Sequence, residues 1–404
     1  MSKKRIPLWL ALPILGIGAL VAFVVGLFAW ASLTAPTLHP DAAAVPSVVQ
    51  STPSKNWTHA VSQAQEIARS GLIEQNLPGL SAAVGVGGDL VWAEGFGYAN
   101  LEAKTPVTPE TKFRSGEVSK ALTSAAVGLL LEKKALSLDQ EIQTYVPEFP
   151  KKEWPVTLRQ LMAQTAGLRN DGGDEAPINV RCERPAEGLQ LFADDALLFE
   201  PGTRYYPSSW GWVLVSAAIE GTASGQSFFT FMRTQIFEPL GMTATLPDSV
   251  AEQIPNRATF YFPKFAGDNR YGPQDAREGD HSCWAGAGAF LSTPSDLVRF
   301  GMAFNSGKVV QPATVQLLQT PQKLNSGAES PSGYALGWKI ETQPLAGQPT
   351  RMAGHATMED FIGTSAYLMT FPERGIVVAV MVNTSFADAK TIALKIADAF
   401  AVRK

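Results

Sequence analysis

Cysteine and histidine are scarce in this 404-residue chain, and each scarcity removes a class of chemistry. Cys182 and Cys283 are too few and too far apart for a zinc site or a CxxC redox motif. A disulfide in an oxidising compartment and a pair of free thiols both fit them. His39, His59, His281 and His355 form no HExxH or other metal-ligand spacing, so neither a metal nor another cofactor is expected. Charge is sparse too. With 17% charged residues, a net charge of -4 and no lysine and arginine cluster interleaved with aromatics, the chain has no electrostatic footprint for nucleic acid. There is no internal repeat at a solenoid or propeller period.

Apolar residues, by contrast, make up 45% of the chain, enough for a sizeable core. Lys3, Lys4 and Arg5 precede an uncharged run from Ile6 to Leu33, which predicts a membrane-crossing helix over 6–33. Basic residues on the short side place 1–5 in the cytoplasm and the bulk of the chain on the periplasmic or extracellular face of the cell membrane. Ala29, Trp30 and Ala31 before Ser32 would suit a signal peptidase, but the run exceeds the usual signal core, which favours an uncleaved single-pass anchor. Residues 34–56, rich in Pro, Ala, Ser and Thr without periodicity, read as a linker, leaving 57–404 as the main domain.

Within that domain, Val61, Ala64, Ile67 and Ala68 recur at helical spacing and predict a helix from Trp57 to Gly71. Gly79 to Val86 and Leu90 to Gly97 flank the turn signal Gly87, Gly88 and Asp89, a hairpin pattern. The Ala- and Leu-rich run from Ala121 to Leu131 is apolar all round, so it reads as a buried helix. The middle of the chain carries helical patches at Leu158 to Gln164, Glu187 to Ala193, Gly211 to Ile219 and Phe228 to Ile236. Strand patterns follow at Trp338 to Thr342, Arg351 to His355, Thr364 to Thr370 and Ile376 to Val382, then a helix with Ile392, Ile396 and Phe400 on one face. This order predicts an α+β fold: one antiparallel sheet built from both chain ends, flanked by helices, with a helical insertion.

Several strings carry a family resemblance: Phe113 to Lys120, Val156 to Leu168, Pro201 to Thr203, Ile236 to Met242, Ala285 to Gly288 with Leu291 to Thr293, and Gly354 with His355. From near Pro78 to the C-terminal end the chain resembles the β-lactamase-related family, which includes class C β-lactamases, penicillin-binding DD-peptidases and their esterase and amidase relatives. Trp284 to Thr293 and Phe371 to Val378 are most similar to the mitochondrial lactamase-like proteins and their bacterial relatives. The resemblance implies the β-lactamase/transpeptidase-like fold and acyl transfer. A serine in an SxxK motif attacks a carbonyl, the lysine helps to deprotonate it, and a YxN motif and a KTG or HxG strand complete the cleft. Two backbone amides stabilise the oxyanion.

No SxxK occurs anywhere in this chain. Matched to the family pattern, Glu117 takes the place of the serine and Lys120 that of the lysine. Pro207 takes the place of the YxN tyrosine, and Ser209 that of its asparagine. His355 keeps the histidine, Thr357 replaces the HxG glycine, and Met358 follows in the substrate cleft. Gln164 and Ala166 stand where relatives commonly carry histidine and serine. Glu117 and Lys120, three apart at a helix start, predict an ion pair near the positive helix end, with Lys120 a charge partner rather than a base. Pro207 transfers no proton and biases Tyr206, one residue earlier, towards an extended backbone; Tyr206, Pro207 and Ser209 are expected to line the substrate cleft, with Tyr205 and Tyr206 serving mainly in packing. The Thr357 side chain is expected to narrow the approach to the strand, and His355 fits a catalytic or a structural histidine equally.

The expectation is therefore a membrane-anchored protein of serine-hydrolase fold, impaired or inactive in acyl-serine catalysis and binding a peptide-like or acyl-amide ligand. One alternative is an active amidase, esterase or peptidase with a non-standard nucleophile, drawn from Ser119, Ser208, Ser209 or Thr357. Of these Ser119 is disfavoured, since it lies roughly 200° around the helix from position 117. A membrane-associated scaffold is a third reading.

Overall fold

The computed structural model describes residues 8–51, 54–170, 181–249, 252–357 and 362–402, with side chains from Gly16 onward. Its first element is α1, Leu8–Thr34, a helix with no charged residue in its first or last turn. The stretch Gly16–Thr34 is long and apolar enough to cross a membrane, and nearly all of it is exposed.

Residues after α1 do not form the loose linker read from the sequence. Asp41 caps a short helical turn, and Ser47–Val49 forms β1, which adds to a sheet edge in register Ser47 to Phe96. A strand of three residues is too short to show a period of two, and its backbone pairing leaves no compositional mark. Helix α2, Thr58–Glu74, then leads into the hairpin of β2, Gly79–Val86, and β3, Asp89–Asn100.

Helix α3, Ser119–Glu132, is buried on almost every side, as its Ala- and Leu-rich run predicts. In the middle of the chain, α4 spans Ser209–Thr222 and α5 spans Pro294–Asn305. Two patches read as α-helical are shorter or tighter: Pro185–Leu191 is a 3-10 run led by a proline, and Phe228–Met232 passes into a π turn at Arg233–Phe237. The strands β4, Lys339–Leu345, β5, Gln348–Thr357, β6, Ser365–Phe371, and β7, Ile376–Val382, precede α6, Ala389–Ala401. The resulting antiparallel sheet runs β1-β3-β2-β7-β6-β5-β4, so the two chain ends meet where β2 pairs with β7.

That central seam explains the unbroken apolar run of β7. Val377, Ala379 and Met381 join one core with α3 and α5, while Val378, Val380 and Val382 join a second core with α2 and α6. Successive side chains of a strand point to opposite faces, and helices cover both faces here, so neither set is polar. Cys182 and Cys283 form a disulfide, which selects between the two sequence alternatives and ties residue 182 to the turn Ser282–Ala287.

Candidate functional site

The candidate site is built at the junction between Phe113–Arg114 and α3. The strand pair Phe113 to Ser292 fixes the chain, and Ser115 donates its hydroxyl to the Phe290 carbonyl at 2.8 Å. A 3-10 turn, Gly116–Val118, then aims Glu117 outward before α3 begins. Gly116 has φ +47°, and a Cβ there would collide with Thr357 Cγ2, so the turn needs glycine on two counts.

Thr357 closes this turn from behind. Its hydroxyl donates to the Ser115 carbonyl at 2.9 Å and accepts from the Val118 amide at 3.3 Å, and the residue is fully buried. The expected narrowing of the strand's approach is therefore not what this side chain does: it packs inward, against the space left by Gly116. Met358 lies outside the described residues.

In front of the turn is a cavity of about 180 Å³ lined by Glu117, Lys120, Gln164, Tyr205, Pro207, Tyr334, Lys339, His355 and Ala356. At its floor Lys120 Nζ, 1% exposed, is bound by the Glu117 carboxylate, 31% exposed. Burial pushes the Glu117 carboxyl up, but the charges of Lys120 and His355, with hydrogen bonds from Lys120 and Ser209, outweigh it and hold the group below its ordinary value. The carboxylate is thus ionised at neutral pH and keeps the ammonium engaged.

Beside the Lys339 side chain, the His355 and tyrosine face of the wall is neutral. Burial lowers His355 to about 4, with Lys120 adding to the effect and Glu117 opposing it. His355 Nδ1 lies 3.1 Å from the Ala356 carbonyl, which only accepts, so the ring proton sits on Nδ1. The Tyr334 hydroxyl then donates to Nε2 at 2.9 Å. Burial, Tyr205 and Glu117 hold the Tyr334 hydroxyl well above its usual range, and burial likewise raises Tyr205.

Tyr205, read as a packing residue, faces the cavity, whereas Tyr206, expected to line the cleft, faces out and packs edge-on against Phe199. The reason is legible in Pro207: the extended backbone it imposes on Tyr206 alternates side chains, so 205 and 207 share a side and 206 takes the other. Tyr334 and Lys339 were not among the sequence candidates, since they precede or open β4 in a stretch with no motif of its own. Gln164 was noted only as a substitution. It holds φ +62°, and its side chain accepts the Ser208 amide at 2.8 Å, which anchors the Tyr205 to Pro207 wall.

The alternative nucleophiles are mostly committed elsewhere. Ser119 is buried, with its Oγ 2.8 Å from Ser115 Oγ. Ser208 donates to the Arg169 carbonyl at 2.7 Å and caps α4 through the Gly211 amide. Ser209 alone approaches the floor, its Oγ 3.5 Å from Lys120 Nζ. Among the described residues, no group of three His, Cys, Asp or Glu side chains is placed to hold a metal ion.

Comparison with known proteins gives this geometry a lineage. The mitochondrial serine β-lactamase-like protein LACTB of Bos taurus is 27% identical, over 85% of this chain and 80% of its own length. The octameric penicillin-binding protein homologue from Pyrococcus abyssi superposes with a TM-score of 0.70 at 28% identity, covering 83% of this chain and 76% of that one. The D-amino acid amidase from Ochrobactrum anthropi shares the fold, with a TM-score of 0.69 at 21% identity over 84% of this chain and 98% of that one. The Beta-lactamase family model matches residues 59–401, and the chain belongs to that family.

Proposed function

We propose that this domain is a ligand-binding member of its family in which an ion pair has replaced acyl-serine catalysis. The observation that carries the reading is the engagement of buried Lys120 by Glu117 at the cavity floor. A carboxylate in the nucleophile's place repels a developing oxyanion, and a lysine held as its counter-ion is not free to take a proton. The neutral His355 and the protonated Tyr205 and Tyr334 supply hydrogen-bonding groups without a nucleophile.

Donors from Lys120, Lys339 and Tyr205 favour a carbonyl or carboxylate, as in a peptide-like or acyl-amide ligand. A cavity of about 180 Å³ suits one such group with a small substituent rather than a long chain. In this reading α1 is an uncleaved anchor and the domain lies on the periplasmic or extracellular side. The Cys182–Cys283 disulfide supports that placement, because such bonds persist in oxidising compartments.

The proximity of Ser209 to Lys120 favours one second reading, hydrolysis with Ser209 as nucleophile. Labelling with a fluorophosphonate and a fluorescent penicillin separates the two. The unmodified protein is expected to stay unlabelled and Glu117→Ser to label, because the substitution restores an SxxK spacing. Robust labelling of the unmodified protein overturns the ion-pair reading, and its loss in Ser209→Ala would assign the chemistry to Ser209.

A further inference from the structure

The chain leaves α1 without a flexible joint. Leu38 N donates to Asn76 Oδ1 at 2.9 Å, and Asn76 Nδ2 donates to the Pro36 carbonyl at 2.9 Å. His39 Nε2 donates to the Leu77 carbonyl at 2.9 Å, and its ring stacks on Tyr98. Within five residues of Thr34 the backbone is thus fastened to the start of β2.

A second connection runs from α1 itself. The Phe28 ring sits 5.0 Å edge-on from Phe265 and 6.3 Å from Tyr271, which also meet each other at 5.3 Å. The loop carrying them is rigid. Asn269 donates through Nδ2 to the Ser385 carbonyl at 2.9 Å and accepts from Thr384 Oγ1 at 2.8 Å, while Gly272, at φ +84°, admits the Pro36 ring where a Cβ would not fit.

Helix length sets the depth of this contact. The 27 residues of α1 span about 40 Å, against a hydrocarbon core of about 30 Å and about 40–45 Å with headgroups included. A helix of that length centred in the bilayer ends at headgroup level and puts the 63% exposed Trp30 about 14 Å from the midplane, at the interface where aromatic rings concentrate. Phe28 precedes the helix end by six residues, so Phe265 and Tyr271 lie about 9 Å back along the axis, roughly 11 Å from the midplane and in the outer acyl chains beneath the headgroups. Exposed Lys264 and Arg270 flank them; Arg270 is paired with Asp268 at 2.6 Å, and the loop keeps a net positive charge towards the phosphates.

Resting on the reading of α1 as a retained anchor, we propose that loop 264–272 is a second membrane contact. It seats Phe265 and Tyr271 in the outer acyl chains and Lys264 and Arg270 among the phospholipid headgroups, and fixes the orientation of the domain on the bilayer.

The test uses the full chain in vesicles of phosphatidylcholine and phosphatidylglycerol in equal parts. Both native cysteines are paired, so Arg270→Cys and Asp89→Cys each offer one site for a bimane label. Arg270 has a 73% exposed side chain, and Asp89 sits in the β2–β3 turn, the length of β2 or about 25 Å from the anchored end. With headgroup-nitroxide lipids, the probe at 270 is expected to lose most of its fluorescence and the probe at 89 to keep most of its own. Equal quenching at both positions, or none at 270 in protein that floats with the vesicles, overturns the headgroup contact alone. Protein that fails to float with the vesicles overturns the anchor reading and the contact together.

Discussion

Lys120 is the residue on which the site's energetics turn. An ammonium 1% exposed is costly to leave unpaired, whereas Glu117, 31% exposed, still reaches water. Glu117→Gln should therefore destabilise the domain by about 2 kcal/mol, less than the 3–5 kcal/mol of a fully enclosed pair. Adding Lys120→Met should recover much of that loss, because it removes the stranded charge. Urea unfolding of the two single variants and the double variant measures the coupling, and additive costs would show that the pair contributes nothing as a pair. The pair itself was readable from sequence, since spacing of three at a helix start brings these side chains together. Tyr334 was not, because its contact with His355 joins positions whose neighbourhood only the folded β4–β5 hairpin creates.

At the scale of the element, the turn Gly116–Val118 and the end of β5 form one unit. Gly116 carries no Cβ where the Thr357 side chain packs, and the Thr357 hydroxyl ties down the turn. Gly116→Ala should cost about 1–3 kcal/mol, from its positive φ and the collision. In a Thr357→Gly background the collision disappears and only the backbone strain remains, so the added cost of Gly116→Ala should fall. Thermal unfolding of the four proteins checks this, and an equal cost in both backgrounds would dissociate the two positions. Elements with strong local patterns, such as the β2–β3 hairpin and β7, were legible in the sequence. The strand β1 and the turn Pro185–Leu191 were not, being too short for their pattern to outweigh composition.

Over the whole molecule, the cleft and the segment that follows α1 share one end of the sheet. Ala356 is in register with Tyr367, Val380 and Ala82, only three residues from Gly79, where β2 begins beside the fastened segment 36–39. The disulfide secures the opposite wall of this region. Its turn Ser282–Ala287 packs on α3 and α4: Gly286 N donates to Ser216 Oγ at 2.9 Å, the Gly286 carbonyl accepts from Thr123 Oγ1 at 3.0 Å, and Trp284 stacks on Trp210 at 4.7 Å. A crosslink over a sequence separation of 101 removes much unfolded-chain freedom, so replacing both cysteines by serine should cost about 2–4 kcal/mol. The same loss should follow when dithiothreitol reduces the native protein, and reductant should leave the double-serine variant unchanged. Calorimetric scans with and without reductant test this, and a transition insensitive to both treatments would show that packing around Trp210 and Thr123 holds the wall unaided.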